Sequence, residues 1–231
     1  MLSRTLMTAA AHASTTHVHP TTSIISLTSP FTRNSLRTLQ SALIAHATTP
    51  CSVVDGVPGV LLELRGGKLR SHAGEVRYDA SFLDTALRET QGEVGLNAGQ
   101  VDILSQFGPP ERSLMGLRVW PYVVRLVSLS MNDPLPSISL SSLTMSQPEV
   151  ATVFHLPLSA FVSPARIRPD MFRATNLYWA IDVSDLVEGF EGVSDPLGRP
   201  EVGGGKEGRL EVWGLTGWYM SLLMRILRVY T

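Results

Sequence analysis

The stretch TALRETQGEVGL, residues 85–96, combines good helix formers with acidic side chains and ends in a Gly-Leu pair. In a helix over residues 81–96, one stripe is occupied by the side chains of Leu83, Leu87, Thr90 and Val94. Gly95 lies where a C-terminal cap needs a left-handed backbone. The stretch therefore predicts an amphipathic helix whose apolar stripe packs on the body of the protein.

The polar side of this helix carries two carboxylates. Glu89 and Glu93 are four residues apart, so their side chains project from the same face. With Arg88 beside them, they supply the oxygen ligands that a hard cation such as Mg²⁺ prefers. A solvated acidic face explains the same pattern, and the helix alone favours that simpler interpretation.

Composition limits the classes of function that the chain can have. The 231 residues are 44% apolar and 17% charged, with a net charge of −1. These values predict one soluble domain that is large enough to bury a core, with one extra segment. Nucleic acid is excluded as the main partner, because phosphate neutralisation needs a basic surface. The single cysteine, Cys51, excludes an internal disulfide framework and a cysteine-based zinc site.

The most apolar segment of the second half is WYMSLLMRILRVY, residues 218–230. Arg225 and Arg228 interrupt it, so no uninterrupted apolar run approaches the roughly 18–20 residues that span a bilayer. The sequence therefore predicts no membrane span.

Residues 1–54 differ from the rest of the chain. They contain no Asp or Glu and are rich in Ser and Thr, and Arg4 is the one arginine among the first thirty residues. This pattern fits a mitochondrial presequence or a disordered polar tail over 1–33, followed by a domain over 34–231. We expect residues up to about 30 not to pack on the domain. The predicted location is mitochondrial, with cytoplasmic and peroxisomal locations as alternatives.

Local patterns predict the other elements. A helix is expected over 34–46, capped by Asn34 or Ser35. A closing amphipathic helix is expected over 211–227, after a Gly-rich polar excursion over 182–209. Strands are expected over four segments, namely 57–65, 101–107, 117–129 and 149–158. Because helices and strands do not alternate strictly, the pattern favours a mixed β-sheet with helices on both faces.

A family resemblance emerges from these stretches. Residues 88–96, RETQGEVGL, match the second half of the Nudix box, R-E-U-x-E-E-x-G-U, at all but one fixed position. Residues 61–76, 147–161 and 211–220 resemble further segments of the coenzyme A diphosphatase branch of the Nudix hydrolases. The similarity runs from about residue 34 to about residue 228. It implies a Nudix-type α/β/α sandwich with a mixed β-sheet.

The resemblance also implies roles for acidic residues. Nudix hydrolases use Mg²⁺ or Mn²⁺ to neutralise a diphosphate and to activate water. Glu89 and Glu93 would be metal ligands, and Arg88 would orient their carboxylates. Glu149 opens a strand where the family often brings a further acid toward the metals, so it would be a base or an additional ligand. A capping or surface acid is the alternative for Glu149.

A basic run lies upstream of the helix. Arg65, Lys68, Arg70 and His72 follow one another with no acid between them. The resemblance assigns this run to the phosphates of coenzyme A or acyl-CoA, and a solvated loop is the alternative. The implied reaction cleaves coenzyme A into adenosine 3′,5′-bisphosphate and 4′-phosphopantetheine, or its acyl form.

The sequence departs from the family pattern at two places. Val76 runs directly into RYDASFLDTALRE, residues 77–89, without the Gly-Gly-Lys loop that normally precedes the helix. Gly92 stands where the first of two adjacent glutamates is expected. Three functions therefore remain open: a weakened coenzyme A diphosphatase, a Nudix-fold module that binds coenzyme A or a nucleotide with little hydrolysis, and a hydrolase of another nucleoside diphosphate derivative.

Overall fold

The computed structural model describes most of the predicted domain. The described residues are 23–29, 32–46, 52–54, 57–65, 81–113, 116–126, 139–146, 149–187 and 209–230. The predictions for Lys68, Arg70, His72 and the segment around Val76 lie outside these ranges.

Three helices and ten strands are formed by the described residues. The helices are α1 (Arg33–His46), α2 (Phe82–Val94) and α3 (Gly214–Ile226). The strands are β1 (Ser52–Val54), β2 (Val57–Arg65), β3 (Val101–Gln106), β4 (Glu111–Arg112), β5 (Arg118–Val119), β6 (Tyr122–Leu126), β7 (Val150–Pro157), β8 (Ile167–Phe172), β9 (Asn176–Asp182) and β10 (Glu211–Val212).

Strands β1, β2 and β7 form an antiparallel sheet in that order. In the β2–β7 pair, Leu61 lies opposite His155 and Val60 opposite Leu156. Gly59 lies under the imidazole of His155, and a Cβ atom there would come within 2.5 Å of the Leu156 carbonyl oxygen. This position therefore needs a glycine, because a side chain would push the two strands apart.

A second antiparallel sheet, in the order β10, β9, β8, supports helix α3. The backbone N–H of Trp179 in β9 donates to the Ser221 hydroxyl of α3 at 2.9 Å. The Gly214 N–H at the start of α3 donates to the Tyr178 hydroxyl at 2.9 Å. Side-chain hydroxyls thus satisfy backbone donors where helix and sheet meet. The strands β3 and β6 form one separate pair, and β4 and β5 form another.

The main hydrophobic core lies between α3 and the sheets. Its fully buried side chains include Leu39, Leu156, Phe161, Ile181, Leu223 and Met224. A smaller cluster lies under α2 and joins Val94, Leu96 and Val150. This smaller cluster attaches the C-terminal end of α2 to the first residue of β7.

Both ends of α2 are capped. Ser81 accepts a hydrogen bond from the Asp84 N–H at 3.1 Å, and the Asp84 carboxylate accepts from the Ser81 N–H at 3.2 Å. This reciprocal capping box satisfies donors that a helix N-terminus leaves unpaired. At the other end, Gly95 has φ +75° and donates its N–H to the Gln91 carbonyl. The predicted glycine cap is confirmed.

The polypeptide around residue 144 lies directly against this helix end. The Thr144 N–H donates to the Val94 carbonyl at 3.2 Å, and the Ser146 N–H donates to the Glu93 carbonyl at 2.8 Å. A Cβ atom on Gly95 would lie 3.1–3.2 Å from three atoms of Thr144. Segment 144–146 therefore supplies donors to the last carbonyls of α2.

Most predicted elements are confirmed, with local corrections. Helix α1 begins at Arg33, and Thr32 caps it by exchanging hydrogen bonds with Ser35, so the predicted cap at Asn34 or Ser35 is wrong. The single strand expected over 117–129 is two strands, because Pro121 lacks the N–H that a continuous ladder needs. Residues 211–212 form β10 rather than the start of the last helix.

Residues before position 30 contribute to the core, which contradicts the expectation that they do not pack. Ile25 and Leu27 are buried in the main core, at 6% and 8% exposure. The Ile24 N–H donates to the Leu227 carbonyl at 3.1 Å. Segment 23–29 therefore packs with the domain, on the N-terminal side of the boundary expected at residue 34.

The α/β class is confirmed. Every strand pairing among the described residues is antiparallel, and the parallel pairing that a mixed sheet requires is absent from those residues. Among the described residues, no helix has the length and apolar character needed to cross a membrane.

The close contact between Gly95 and Thr144 at the end of α2 can be tested by substitution. We expect Gly95→Ala to lower the free energy of unfolding by about 1–3 kcal/mol, because alanine is strained at positive φ and its Cβ meets Thr144. Urea unfolding measures this change. The matched control is Gly99→Ala, where a Cβ meets no neighbour within 4 Å. Equal effects of the two substitutions would contradict the close contact.

Candidate functional site

The carboxylates of α2 lie on its solvent-accessible side. Glu89 is 48% exposed, and its carboxylate lies 3.9 Å from the guanidinium of Arg88, which is 62% exposed. An ion pair this long and this exposed contributes little to stability. Glu93 is half-buried, one turn further along the same face. Both carboxylates are thus positioned on a folded helix, with solvent access at Glu89.

Strand β7 brings a third acid to the end of α2. Glu149 is exposed and directly precedes Val150, which packs against Val94 in the smaller core cluster. The Val150 N–H donates to the Ser146 carbonyl at 2.9 Å, and the Ser146 N–H donates to the Glu93 carbonyl. Glu93 and Glu149 therefore belong to segments that are joined through two backbone hydrogen bonds.

The first residue of the basic run also reaches this region. Arg65 is the last residue of β2, and its Cα pairs with that of Val150 across a register shift. The backbone thus places Arg65 beside the residue that follows Glu149, while Lys68, Arg70 and His72 lie outside the described residues.

Gly92 is exposed on α2, and a Cβ atom there would meet no neighbouring atom within 4 Å. Neither packing nor a positive φ requires a glycine at this position. A larger side chain can therefore be accommodated without moving the backbone. At residue 92, the departure from the family pattern removes a carboxylate, and packing does not require this change.

The donor set fits a single hydrated cation. Mg²⁺ commonly keeps several waters and binds one or two protein carboxylates, which matches Glu89 and Glu93. Within the described ranges, no group of three or more His, Cys, Asp or Glu side chains is close enough to hold a metal ion. Glu89 and Glu93 thus supply the number of carboxylates that Mg²⁺ commonly takes from a protein.

A separate cleft of about 200 Å³ lies between β2, β7 and β10. Among the described residues of the predicted site, Arg88, Glu89, Glu93 and Glu149 do not line it. Its lining includes the apolar side chains of Leu62, Leu64, Phe154, Val183, Leu210 and Val212, together with Glu63, Glu211, Trp213 and Thr216.

A charged cluster that the sequence did not predict lies beside this cleft. The guanidinium of Arg168 makes two hydrogen bonds to Glu211, at 3.1 and 2.8 Å, and one to Asp170 at 2.8 Å. The Glu211 side chain is only 3% exposed. The hydrogen bonds that Arg168 donates to Glu211 raise the pKa of Arg168 further above its usual range, so the guanidinium stays charged. No pattern of residue spacing in the sequence could reveal the pairing of Arg168 with Glu211, because the two residues are 43 positions apart.

Comparison with known proteins identifies the family. No family model matches the chain. The Nudix hydrolase NudL of Cronobacter sakazakii, itself uncharacterized, is 33% identical over 153 residues, which cover 62% of this chain and 71% of the relative. NudL of Citrobacter koseri is 35% identical over 125 residues, covering 50% and 59%. NudL of Salmonella newport is 34% identical over 128 residues, covering 52% and 60%.

A solved structure is also similar, at a distance. The NUDIX domain of Shewanella oneidensis NrtR, complexed with ADP ribose, aligns with a TM-score of 0.30 and 19% identity. The alignment covers 50% of this chain and 77% of that one. A likeness this remote carries no argument about fold or ligand.

Helix α2 ends in the Glu-x-Gly-Leu pattern, and Glu149 directly precedes the strand that packs against this end. Identity to NudL over most of the relative's length decides the family. The chain belongs to the Nudix hydrolase family. It spans about three-fifths of the Citrobacter and Salmonella relatives' length. Nudix hydrolases generally use divalent metal ions.

Whether position 92 accepts a side chain can be tested by measuring the stability of a substituted protein. We expect Gly92→Ala to raise the free energy of unfolding by about 0.4–1 kcal/mol, because alanine restricts the unfolded chain and clashes with nothing. Urea unfolding measures this change in the free energy of unfolding, provided that the m-value stays the same. A lower midpoint would mean that the backbone at residue 92 cannot accept a side chain.

Proposed function

We propose that the protein hydrolyses the diphosphate bond of coenzyme A or acyl-CoA with the help of Mg²⁺ or Mn²⁺, at a reduced rate. The observation that carries this proposal is the meeting of three segments at one end of α2. These segments hold the α2 carboxylates, Glu149 and the first arginine of the basic run. Segments that carry acidic and basic residues meet in one region, which suits the binding of a cation and a phosphorylated ligand.

Each residue has a distinct role in this proposal. Glu89 and Glu93 hold the divalent ion, and Arg88 limits the orientation of the Glu89 carboxylate. When bound, the ion neutralises diphosphate charge and makes water a better nucleophile. Glu149 accepts a proton from the attacking water as general base. Arg65, with Lys68, Arg70 and His72, binds the phosphates of coenzyme A.

The reaction balances as a hydrolysis. The water oxygen forms a bond to one phosphorus of the diphosphate, and the bridging P–O bond of the anhydride breaks. The products are adenosine 3′,5′-bisphosphate and 4′-phosphopantetheine, or acyl-phosphopantetheine. The proton taken from water leaves with solvent, so no further reactant is needed.

The rate is reduced because one carboxylate is missing. With Gly92 in place of a glutamate, the helix offers two acids where the family pattern has three. Charge neutralisation of the diphosphate weakens accordingly, and losing one electrostatic element of this kind typically costs about 10²–10³ in rate.

The missing carboxylate at position 92 also favours a second function. A module that binds coenzyme A or a nucleotide needs the basic run and the fold but not an efficient metal centre. Gly92, and the lack of a three-ligand cluster among the described residues, both favour such a module. A hydrolase of another nucleoside diphosphate derivative is less favoured, because the basic run at 65–72 suits the extra phosphate of coenzyme A.

Phosphopantetheine release from coenzyme A tests the proposal. We expect weak release by the native protein that depends on Mg²⁺ or Mn²⁺. Glu93→Gln should abolish it, because a neutral amide holds a divalent ion poorly. Gly92→Glu should raise it, up to the 10²–10³ estimated for one electrostatic element, because position 92 has room for the side chain.

The matched control is Gly92→Ala, which adds a side chain without a charge. A similar gain from Gly92→Ala and Gly92→Glu would attribute the effect to helix stability and not to the carboxylate. No release from any variant, with retained coenzyme A binding, would replace the hydrolase by the binding module.

Mitochondrial import is the proposed location. Support comes from the acid-free composition of residues 1–54. A reporter fused to residues 1–35 should enter mitochondria, and Arg4→Glu in the same fusion should reduce import, since presequences are poor in acids. A diffuse cytosolic signal from the unsubstituted fusion would refute the proposed location.

A further inference from the structure

Two stacked aromatic rings lie at the N-terminal end of α2, outside the residues that carry the family pattern. The centroids of Phe82 and Trp120 are 5.4 Å apart, and the rings are inclined by 18°. Phe82 is nevertheless 55% exposed, so much of its ring is open to solvent. Leaving a phenylalanine this exposed forfeits a large part of its hydrophobic stabilisation. The pair therefore offers an aromatic surface to a ligand.

The backbone that carries the inner ring of the pair is anchored to the core. On one side of Trp120, the Val119 carbonyl accepts a hydrogen bond from the Tyr219 hydroxyl at 3.1 Å. On the other side, the Pro121 carbonyl accepts from the Phe107 N–H at 3.1 Å. Tyr219 and Phe107 are themselves buried. The backbone on both sides of Trp120 is thus fastened to the core, which limits the entropy lost when a ligand stacks.

The outer ring is fixed by the helix start. Phe82 is the first residue of α2 and follows the capping box of Ser81 and Asp84. It shares a stripe with Glu89 and Glu93, because residues seven and eleven positions later fall within about 40° of each other on a helix. The axial distance from Phe82 to Glu89 is about 10 Å, from the rise per residue. A ligand held at the carboxylates can therefore extend along α2 to the rings.

We propose that Phe82, backed by Trp120, is a stacking platform for the purine base of the nucleoside diphosphate bound at α2. This proposal rests on the proposed function, because it takes the diphosphate to lie near Glu89 and Glu93. Stacking between a base and an aromatic side chain uses the π face of each ring and tolerates different bases. The platform selects diphosphates that carry a base over those that do not.

Binding of two stable analogues in the presence of Mg²⁺ tests the platform. α,β-Methylene-ADP has a purine base and methylenediphosphonate has none, and isothermal titration calorimetry gives the affinity of each. We expect Phe82→Ala to weaken α,β-methylene-ADP about 10-fold or more and to leave methylenediphosphonate unchanged. Phe82→Tyr keeps a ring and should bind both as the native protein does.

A matched control removes an exposed apolar side chain elsewhere. Met171 is 48% exposed on β8, and Met171→Ala should change neither affinity. Three results would rule out a purine base as the ligand of Phe82. They are equal affinities of the native protein for the two analogues, binding of neither analogue, and an unchanged affinity in Phe82→Ala. If Phe82→Ala changes the mass measured by sedimentation without changing either affinity, the rings form a contact between copies of the protein, and the platform is also ruled out.

The two proposals can fail separately. Phosphopantetheine release without a role for Phe82 in binding keeps the hydrolase and removes the platform. Phe82-dependent binding of α,β-methylene-ADP without any release keeps the platform and removes the hydrolase.

Discussion

The close approach of Gly95 and Thr144 sets the position of α2 relative to the sheet. The helix can end there because Gly95 adopts a left-handed conformation, and the space that a Cβ would fill is taken by Thr144. Backbone donors of segment 144–146 then reach the last carbonyls of the helix, and Val150 enters the cluster under Val94. This contact brings Glu93 close to the segment that leads into β7, and the pairing of β2 with β7 adds the end of β2 to the same region.

The sequence predicted the parts of the fold that have a local signal. The glycine cap and the apolar stripe of α2 were found because Gly95 and Val94 lie at characteristic positions, although Leu83 and Leu87 are only partly buried. The capping box at Ser81 was not predicted. The β8–β9 hairpin was missed for a physical reason. Its turn places Arg173 and Ala174 at positive φ, where glycine or asparagine is the usual signal.

The candidate site was only partly predictable. Spacing along a helix relates Glu89 to Glu93, but only the family resemblance related them to Glu149, since that relation depends on tertiary packing. The stacking of Phe82 on Trp120 is equally non-local. The sequence could not indicate that the break at Pro121 holds an aromatic ring against α2. Periodicity reports which face a side chain occupies, and packing decides what it meets.

The hydrogen bond between Ile24 and Leu227 has a consequence for biosynthesis. Ile25 and Leu27 belong to the same core as α3, so segment 23–29 finds its partners only after residue 227 has been synthesised. A ribosome that adds roughly 5–20 residues per second leaves this segment without its native contacts for on the order of ten seconds or more. During that interval the segment is open to chaperones and to any import receptor. Completion of the core removes it from their reach.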